Sequence, residues 1–273
     1  MARRPIEQIA ASVVVRAPNW GRHAPLPVAG EWRVTVGPPA AVLSVAIVEP
    51  PVACATVFVL HGIRDSKATM GGWAAMLIAQ GYRAVLVDSR GHGRSTGQVL
   101  TYGVEEARDL TFVLDALAAR GSALGPIGAM GHSYGAATAL QWAGRDPRVR
   151  AAVAVSPFAT FRSVVAGYLP WALSPAFAGR VVDAAGVLAG FDPDAASPVD
   201  GVARTPAAVL LVHGRDDARI PLAHSERIAA AAAGPVELVP VDGANHDAVA
   251  GAPQTRLAER AASWFRLHLT EPH

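Results

Sequence analysis

The sequence predicts an α/β protein with a mostly parallel central sheet flanked by helices. Two observations carry this. Apolar runs of strand length recur at Thr56–Leu60, Ala84–Val87, Ile127–Met130, Ala151–Val155, Ala208–Val212 and Val236–Val239. Such near-continuous runs suit strands covered on both faces, as a parallel sheet requires. Between them lie stretches of helical character, and alternating strands and helices define the doubly wound class. At 273 residues, 51% hydrophobic and only 17% charged, the chain can bury a large core, and α/β folds reach this length as one unit.

In chain order, residues 1–40 are rich in proline and glycine and read as an irregular lead-in. Its end carries a strand at Trp32–Val36, paired antiparallel with Val42–Val48 across Gly37-Pro38-Pro39. Helices are expected over Met70–Gln80, Val104–Arg120, Tyr134–Gly144, Leu222–Ala233 and Gln254–Leu269. In Val104–Arg120, Leu110, Val113, Leu114 and Leu117 recur at three- and four-residue spacing and form one core-facing stripe. Residues 158–202 break the alternation with a proline-containing, aromatic-bearing insertion that reads as a helical cap. The core is then 41–157 and 203–273.

Composition excludes several classes. A net charge of +2 is too small and too dispersed for nucleic acid. Cys54 is the only cysteine, which rules out an intramolecular disulfide and any cysteine-based zinc cluster. No apolar run reaches the roughly 20 residues of a membrane-spanning helix. No export signal is recognised at the start, so a cytoplasmic chain is expected.

The chemistry centres on Gly131-His132-Ser133-Tyr134-Gly135, which follows one predicted strand and opens a predicted helix. A nucleophilic serine on such a strained turn needs small flanking residues, and the helix N-terminus favours developing negative charge. With its flanks, this motif resembles the nucleophile elbow of the α/β-hydrolase superfamily, of the capped serine esterase/lipase kind. Other motifs follow in the family's order: His61-Gly62; Asp88-Ser89-Arg90-Gly91-His92-Gly93-Arg94-Ser95; His213-Gly214-Arg215-Asp216-Asp217 through Pro221; and Gly243-Ala244-Asn245-His246.

The resemblance implies an α/β-hydrolase fold and a serine hydrolase cleaving carboxylic esters, with Ser133 as nucleophile, Asp217 as acid and His246 as base. Asp216 competes with Asp217 for the acid. The backbone N–H groups of Ile63 and Tyr134 are the implied oxyanion donors, and Arg90 with Asp88 is expected to hold a structural turn. Serine at the elbow argues against the branches that use aspartate there. No metal or cofactor is implied, and the partner is a small ester or acyl substrate. A small aminopeptidase or thioesterase of the same fold stays open, as does a non-catalytic binding protein on it. Trp171, Tyr168 and Phe158 are the expected pocket residues. Only Arg162 and Arg180 flank the aromatic cluster of the insertion, so uncharged acyl groups are expected to be preferred.

Overall fold

The computed structural model describes residues 5–18, 31–121, 124–169, 174–250 and 255–269. The chain begins with helix α1 (Ile6–Val15), which corrects the expectation of an irregular segment over 1–40. Ile6, Ile9, Ala10, Val13 and Val14 fall at helical spacing, whereas the breaking prolines and glycines of the lead-in lie from Pro18 onward. Strand β1 (Glu31–Val36) then pairs antiparallel with β2 (Ala41–Val48). Further along the chain come β3 (Ala55–Leu60), α2 (Gly71–Ala79), β4 (Tyr82–Val87), α3 (Val104–Ala119), β5 (Ile127–His132), α4 (Tyr134–Ala143) and β6 (Val149–Val155). Helices α5 (Phe161–Tyr168), α6 (Pro175–Ala189) and α7 (Pro198–Ala203) lead to β7 (Ala208–Gly214), α8 (Ala223–Ala231), β8 (Val236–Val241), α9 (His246–Ala250) and α10 (Thr255–His268).

The eight strands form one sheet in the order β1-β2-β4-β3-β5-β6-β7-β8, parallel from β4 to β8 and antiparallel at β1–β2 and β2–β4. The pleat divides its side chains between two cores. Val57 and Val59 of β3 meet Trp73 and Leu77 of α2 and Phe265 of α10 on one face. Phe58 and Leu60 meet Leu110, Val113, Leu114 and Leu117 of α3 on the other, the stripe read from the sequence. On that scale of burial, each fully covered large side chain contributes about 1.5–3 kcal/mol.

A third cluster lies beyond the strand ends. Ala11 and Val15 of α1 pack with Phe161, Val164 and Val165 of α5, with Val181 and Val182 of α6, and with Leu100, Tyr102, Tyr134 and Phe158. Backbone hydrogen bonds anchor the end of α1 to the loop before α3: Leu100 N–H donates to Val15 O (2.8 Å) and Ala17 N–H to Gln98 O (3.0 Å). The Tyr102 hydroxyl donates to Val14 O at 2.9 Å. Thus α1 and α5, with α6 packed against both, cover the space over the C-terminal ends of the strands, where open α/β sheets place their ligand sites.

Candidate active site

Ser133 sits between β5 and α4 with φ 53° and ψ −113°. A non-glycine residue in this region costs about 1–3 kcal/mol and persists only where its surroundings over-determine it. Here they do. Ser133 N–H donates to Val155 O (2.8 Å), and Ser133 O accepts from Ala137 N–H (3.0 Å). The flanking glycines are required by close approach: a Cβ on Gly131 would lie 2.4 Å from the carbonyl carbon of Gly135, and one on Gly135 would lie 2.5 Å from the carbonyl oxygens of Leu60 and His61.

The loop after β3 lies against this turn. A Cβ on Gly62 would come within 3.2 Å of His132 Nδ1 and 3.8 Å of Ser133 Cβ. Buried His61 holds the loop, with Nε2 accepting from Ser89 N–H (3.1 Å) and Nδ1 donating to Gly62 O (2.7 Å). Burial lowers its pKa, in keeping with a neutral ring that both donates and accepts. No hydrogen bond engages the Ile63 backbone N–H among the described residues. Tyr134 opens α4, where first-turn N–H groups have no intrahelical partner.

Asp217 comes from the loop after β7, and His246 opens α9 beyond β8. His246 Nδ1 meets Asp217 Oδ2 at 2.6 Å, and both side chains are buried. Asp217 Oδ1 accepts from the backbone N–H of Ile220 (2.8 Å) and of Arg219 (3.0 Å). Burial alone would raise the Asp217 pKa. The hydrogen bonds from His213, His246 and Ile220 N–H outweigh it and hold the carboxyl well below its ordinary value. His213, fully buried, fixes this loop: its Nδ1 meets Ser225 Oγ at 2.7 Å, and its Nε2 meets Ile220 O at 2.7 Å and lies 3.5 Å from Asp217 Oδ2. Asp216 is exposed, and its backbone N–H donates to Ala244 O.

His132 links the two halves. Its ring lies 4.9 Å from that of His246 between centroids, and its Nε2 is 3.3 Å from His246 O. Burial and the neighbouring His246 lower its pKa to about 4, so it is neutral near pH 7. His246 therefore sits beside the residue that precedes Ser133. On the outer side, the Arg219 guanidinium grips the Asp247 carboxylate at 2.9 and 2.5 Å, tying the loop of Asp217 to that of His246.

The turn at 88–95 is built on charge. The Asp88 carboxylate accepts from Lys67 Nζ (2.6 Å), Lys67 N–H (2.7 Å) and Arg94 N–H (2.9 Å). Arg90 makes a two-pronged pair with Asp109, 2.7 Å on each arm and buried on both sides. His92 is fully buried between the rings of His61 and Tyr134.

Ser133 opens into a cavity of about 610 Å³, within the usual range for small-molecule sites. Phe158 and Tyr168, expected in the pocket, line it; Trp171 lies outside the described residues. Sequence reasoning missed the wall supplied by α1 (Ala10, Val13 and Val14) and the three arginines Arg16, Arg64 and Arg219. The first had a signal in the helical spacing of Ile6–Val15. The arginines had none, because their convergence depends on how three separate loops meet.

Eight strands in this order, a strained serine between strand and helix, and an acid–histidine pair on the last loops define the α/β-hydrolase fold. The family model described as serine aminopeptidase, S33, matches residues 51–198, and the chain belongs to that family. An uncharacterised Bacillus subtilis (strain 168) protein, YqkD, is 29% identical over 200 residues, or 70% of this chain and 64% of YqkD. The matched part thus spans less than two thirds of that relative. The Pyrococcus furiosus esterase Pf2001 superposes with a TM-score of 0.71 at 20% identity, over 90% of this chain and 99% of the esterase. Est1E of Butyrivibrio proteoclasticus, solved with ferulic acid, gives 0.66 at 19% over 85% and 97%. The Pyrococcus horikoshii acylaminoacyl peptidase gives 0.69 at 16%, over 89% of this chain and 42% of the peptidase. Fold and family match together make the chain a member of the α/β-hydrolase superfamily. Among the described residues, no helix is long and apolar enough to cross a membrane.

Proposed function

We propose that the protein cleaves carboxylic esters through an acyl-enzyme formed on Ser133, with His246 as general base and Asp217 as its orienting acid. The observation that carries this reading is the 2.6 Å contact between Asp217 Oδ2 and His246 Nδ1. It leaves Nε2 as the nitrogen available to a nucleophile, and His246 lies beside the elbow that bears Ser133. Serine is a poor nucleophile until an adjacent base takes its proton. His246 Nε2 would accept that proton as Ser133 Oγ attacks the ester carbonyl, and would return it to the departing alkoxide. Ionised Asp217 stabilises the imidazolium in between. The N–H groups of Ile63 and Tyr134 would receive the oxyanion, aided by the positive end of α4. Water, deprotonated by the same histidine, would then release the acid. In this reading residues 158–202 cap the core formed by 41–157 and 203–273, and Tyr168 and Phe158 of that cap contact the substrate.

The family description favours a second reading, an aminopeptidase. Such an enzyme must bind an α-ammonium group, for which a carboxylate is the natural partner. None of the described residues lining the cavity is acidic, which weighs for ester over peptide. A fluorophosphonate probe should label the wild type and leave Ser133→Ala unlabelled; equal labelling of the two would remove the serine mechanism. Turnover of p-nitrophenyl esters but not of aminoacyl anilides is expected, and the reverse would favour the peptidase.

A further inference from the structure

The cavity is walled mainly by aliphatic and aromatic side chains, and the charged residues among its described lining are all arginines: Arg16 at the end of α1, Arg64 beside Ile63, and Arg219. Arg219 is already neutralised by its two-pronged pair with Asp247. Arg16 and Arg64 have no ion-pair partner among the described residues. The nearest acid in sequence to Arg64, Asp65, is engaged elsewhere, accepting from Ser66 N–H and the Thr69 hydroxyl at 2.8 Å each. The charge of Arg64 is felt by both Tyr102 and Tyr168, and these two side chains line the same cavity. The expectation of an uncharged pocket came from residues 158–202 alone. There Arg162 pairs with Asp183 and Asp194, and Arg180 with Glu7. The unpaired charge enters from α1 and from the loop after β3.

We propose that the substrate carries a carboxylate, held by Arg64 with Arg16 as the second cation, while its ester carbonyl meets Ser133. This rests on the ester-hydrolase reading and adds the substrate class to it. Guanidinium matches a carboxylate with paired N–H donors, and an apolar cavity with unpaired cations at its wall disfavours a cationic ligand. Both arginines are exposed, so solvent screens them and the preference is moderate, about tenfold rather than thousands.

The test compares esters matched in size. p-Nitrophenyl hemiadipate, with the spontaneous rate subtracted, is set against p-nitrophenyl methyl adipate, placing the carboxylate on the acyl side. 4-Acetoxybenzoate is set against methyl 4-acetoxybenzoate, placing it on the alcohol side. The wild type should prefer the anionic member of at least one pair in kcat/KM, and that pair identifies the side. In Arg64→Gln the anionic-to-neutral ratio should fall about tenfold, with Arg64→Lys between and Arg16→Gln lowering it a few-fold. Arg120→Gln, remote from the cavity, should leave the ratio as it is. High salt should lower the wild-type ratio. A wild type that prefers the neutral member of both pairs, or a ratio untouched by both Arg64→Gln and Arg16→Gln, overturns the proposal while leaving the hydrolase reading intact. Absence of turnover on all four esters together with no labelling of Ser133 overturns the hydrolase reading itself.

Discussion

Replacing Asp217 by asparagine separates geometry from charge. Oδ1 of Asp217 accepts from two backbone N–H groups, Ile220 at 2.8 Å and Arg219 at 3.0 Å, while Oδ2 faces His246 Nδ1 at 2.6 Å. An asparagine must keep its oxygen on the backbone side, since turning the amide would point NH₂ at two donors. Its NH₂ then faces Nδ1, and a donor there requires Nδ1 to accept. The proton moves to Nε2, the nitrogen that in the proposed mechanism must receive the proton of Ser133, so the base carries the wrong tautomer. Loss of the orienting carboxylate in such a site costs on the order of 10⁴ in kcat, or about 5.5 kcal/mol of transition-state stabilisation. Exposed Asp216 has no comparable contact, and Asp216→Asn should stay within a few-fold of wild type. The assay is kcat on p-nitrophenyl acetate with the rate of fluorophosphonate labelling beside it, each variant checked by thermal melt. An Asp217→Asn protein that melts like wild type and keeps its rate within tenfold would refute the reasoning, as would crippling by Asp216→Asn instead.

Removing one partner of the buried Arg90–Asp109 pair leaves an uncompensated charge, so Asp109→Ala should lose about 3–5 kcal/mol in urea unfolding, while a loss below 1 kcal/mol would show the pair to be dispensable. His92 is fully buried, and burial, then the neighbouring His61, lowers its pKa to about 3 despite the opposing hydrogen bond to Arg90 O. The folded state thus binds fewer protons than the unfolded one below the unfolded value near 6.5, and stability falls as pH drops from there. One such group contributes a loss of about 2 kcal/mol between pH 7 and 5, so His92→Gln should flatten the pH dependence of the unfolding free energy, and an unchanged slope would refute this. Ala10 of α1 lines the cavity. Ala10→Trp should therefore shorten the tolerated acyl chain, each excluded methylene costing up to about 0.8 kcal/mol in kcat/KM, whereas an unaltered chain-length profile would take α1 out of the pocket wall.

The parts of the molecule that the sequence shows best are those governed by local rules. The strand runs from Thr56 to Val212 are legible because a strand covered on both faces is apolar at nearly every position, whereas the run at Val236–Val239 belongs to the half-buried edge strand β8. The turn around Ser133 is legible because Gly131 and Gly135 are each forced by a backbone within 2.4–2.5 Å of where a Cβ would stand. The pairing of Asp217 with His246 depends on two loops 29 residues apart, yet the order of the motifs anticipates it. Lys67 shows the opposite case. It is the only lysine in the chain, and no local pattern in the sequence marks its place. Its ammonium is buried against Asp88 and Ser44, where it helps fix the turn that follows β4.

The least legible part is the cavity wall, and the reason is physical. Ile6, Ile9 and Val13 of α1 remain exposed at 68%, 53% and 61%, so the helix does not present one simple buried stripe. Its buried residues, Ala11 and Val15, lie toward α6 and the loop at Leu100, while Ala10, Val13 and Val14 line the cavity. A helix that divides its apolar residues between packing, a ligand space and solvent gives a blurred periodicity, and the prolines after it hide what remains. The same divided helix ends at Arg16 and so carries one of the two unpaired cations to the site. In the proposed reading, specificity is thereby assembled from the segment whose sequence is least regular, while the chemistry rests on turns that close contacts leave little freedom to vary.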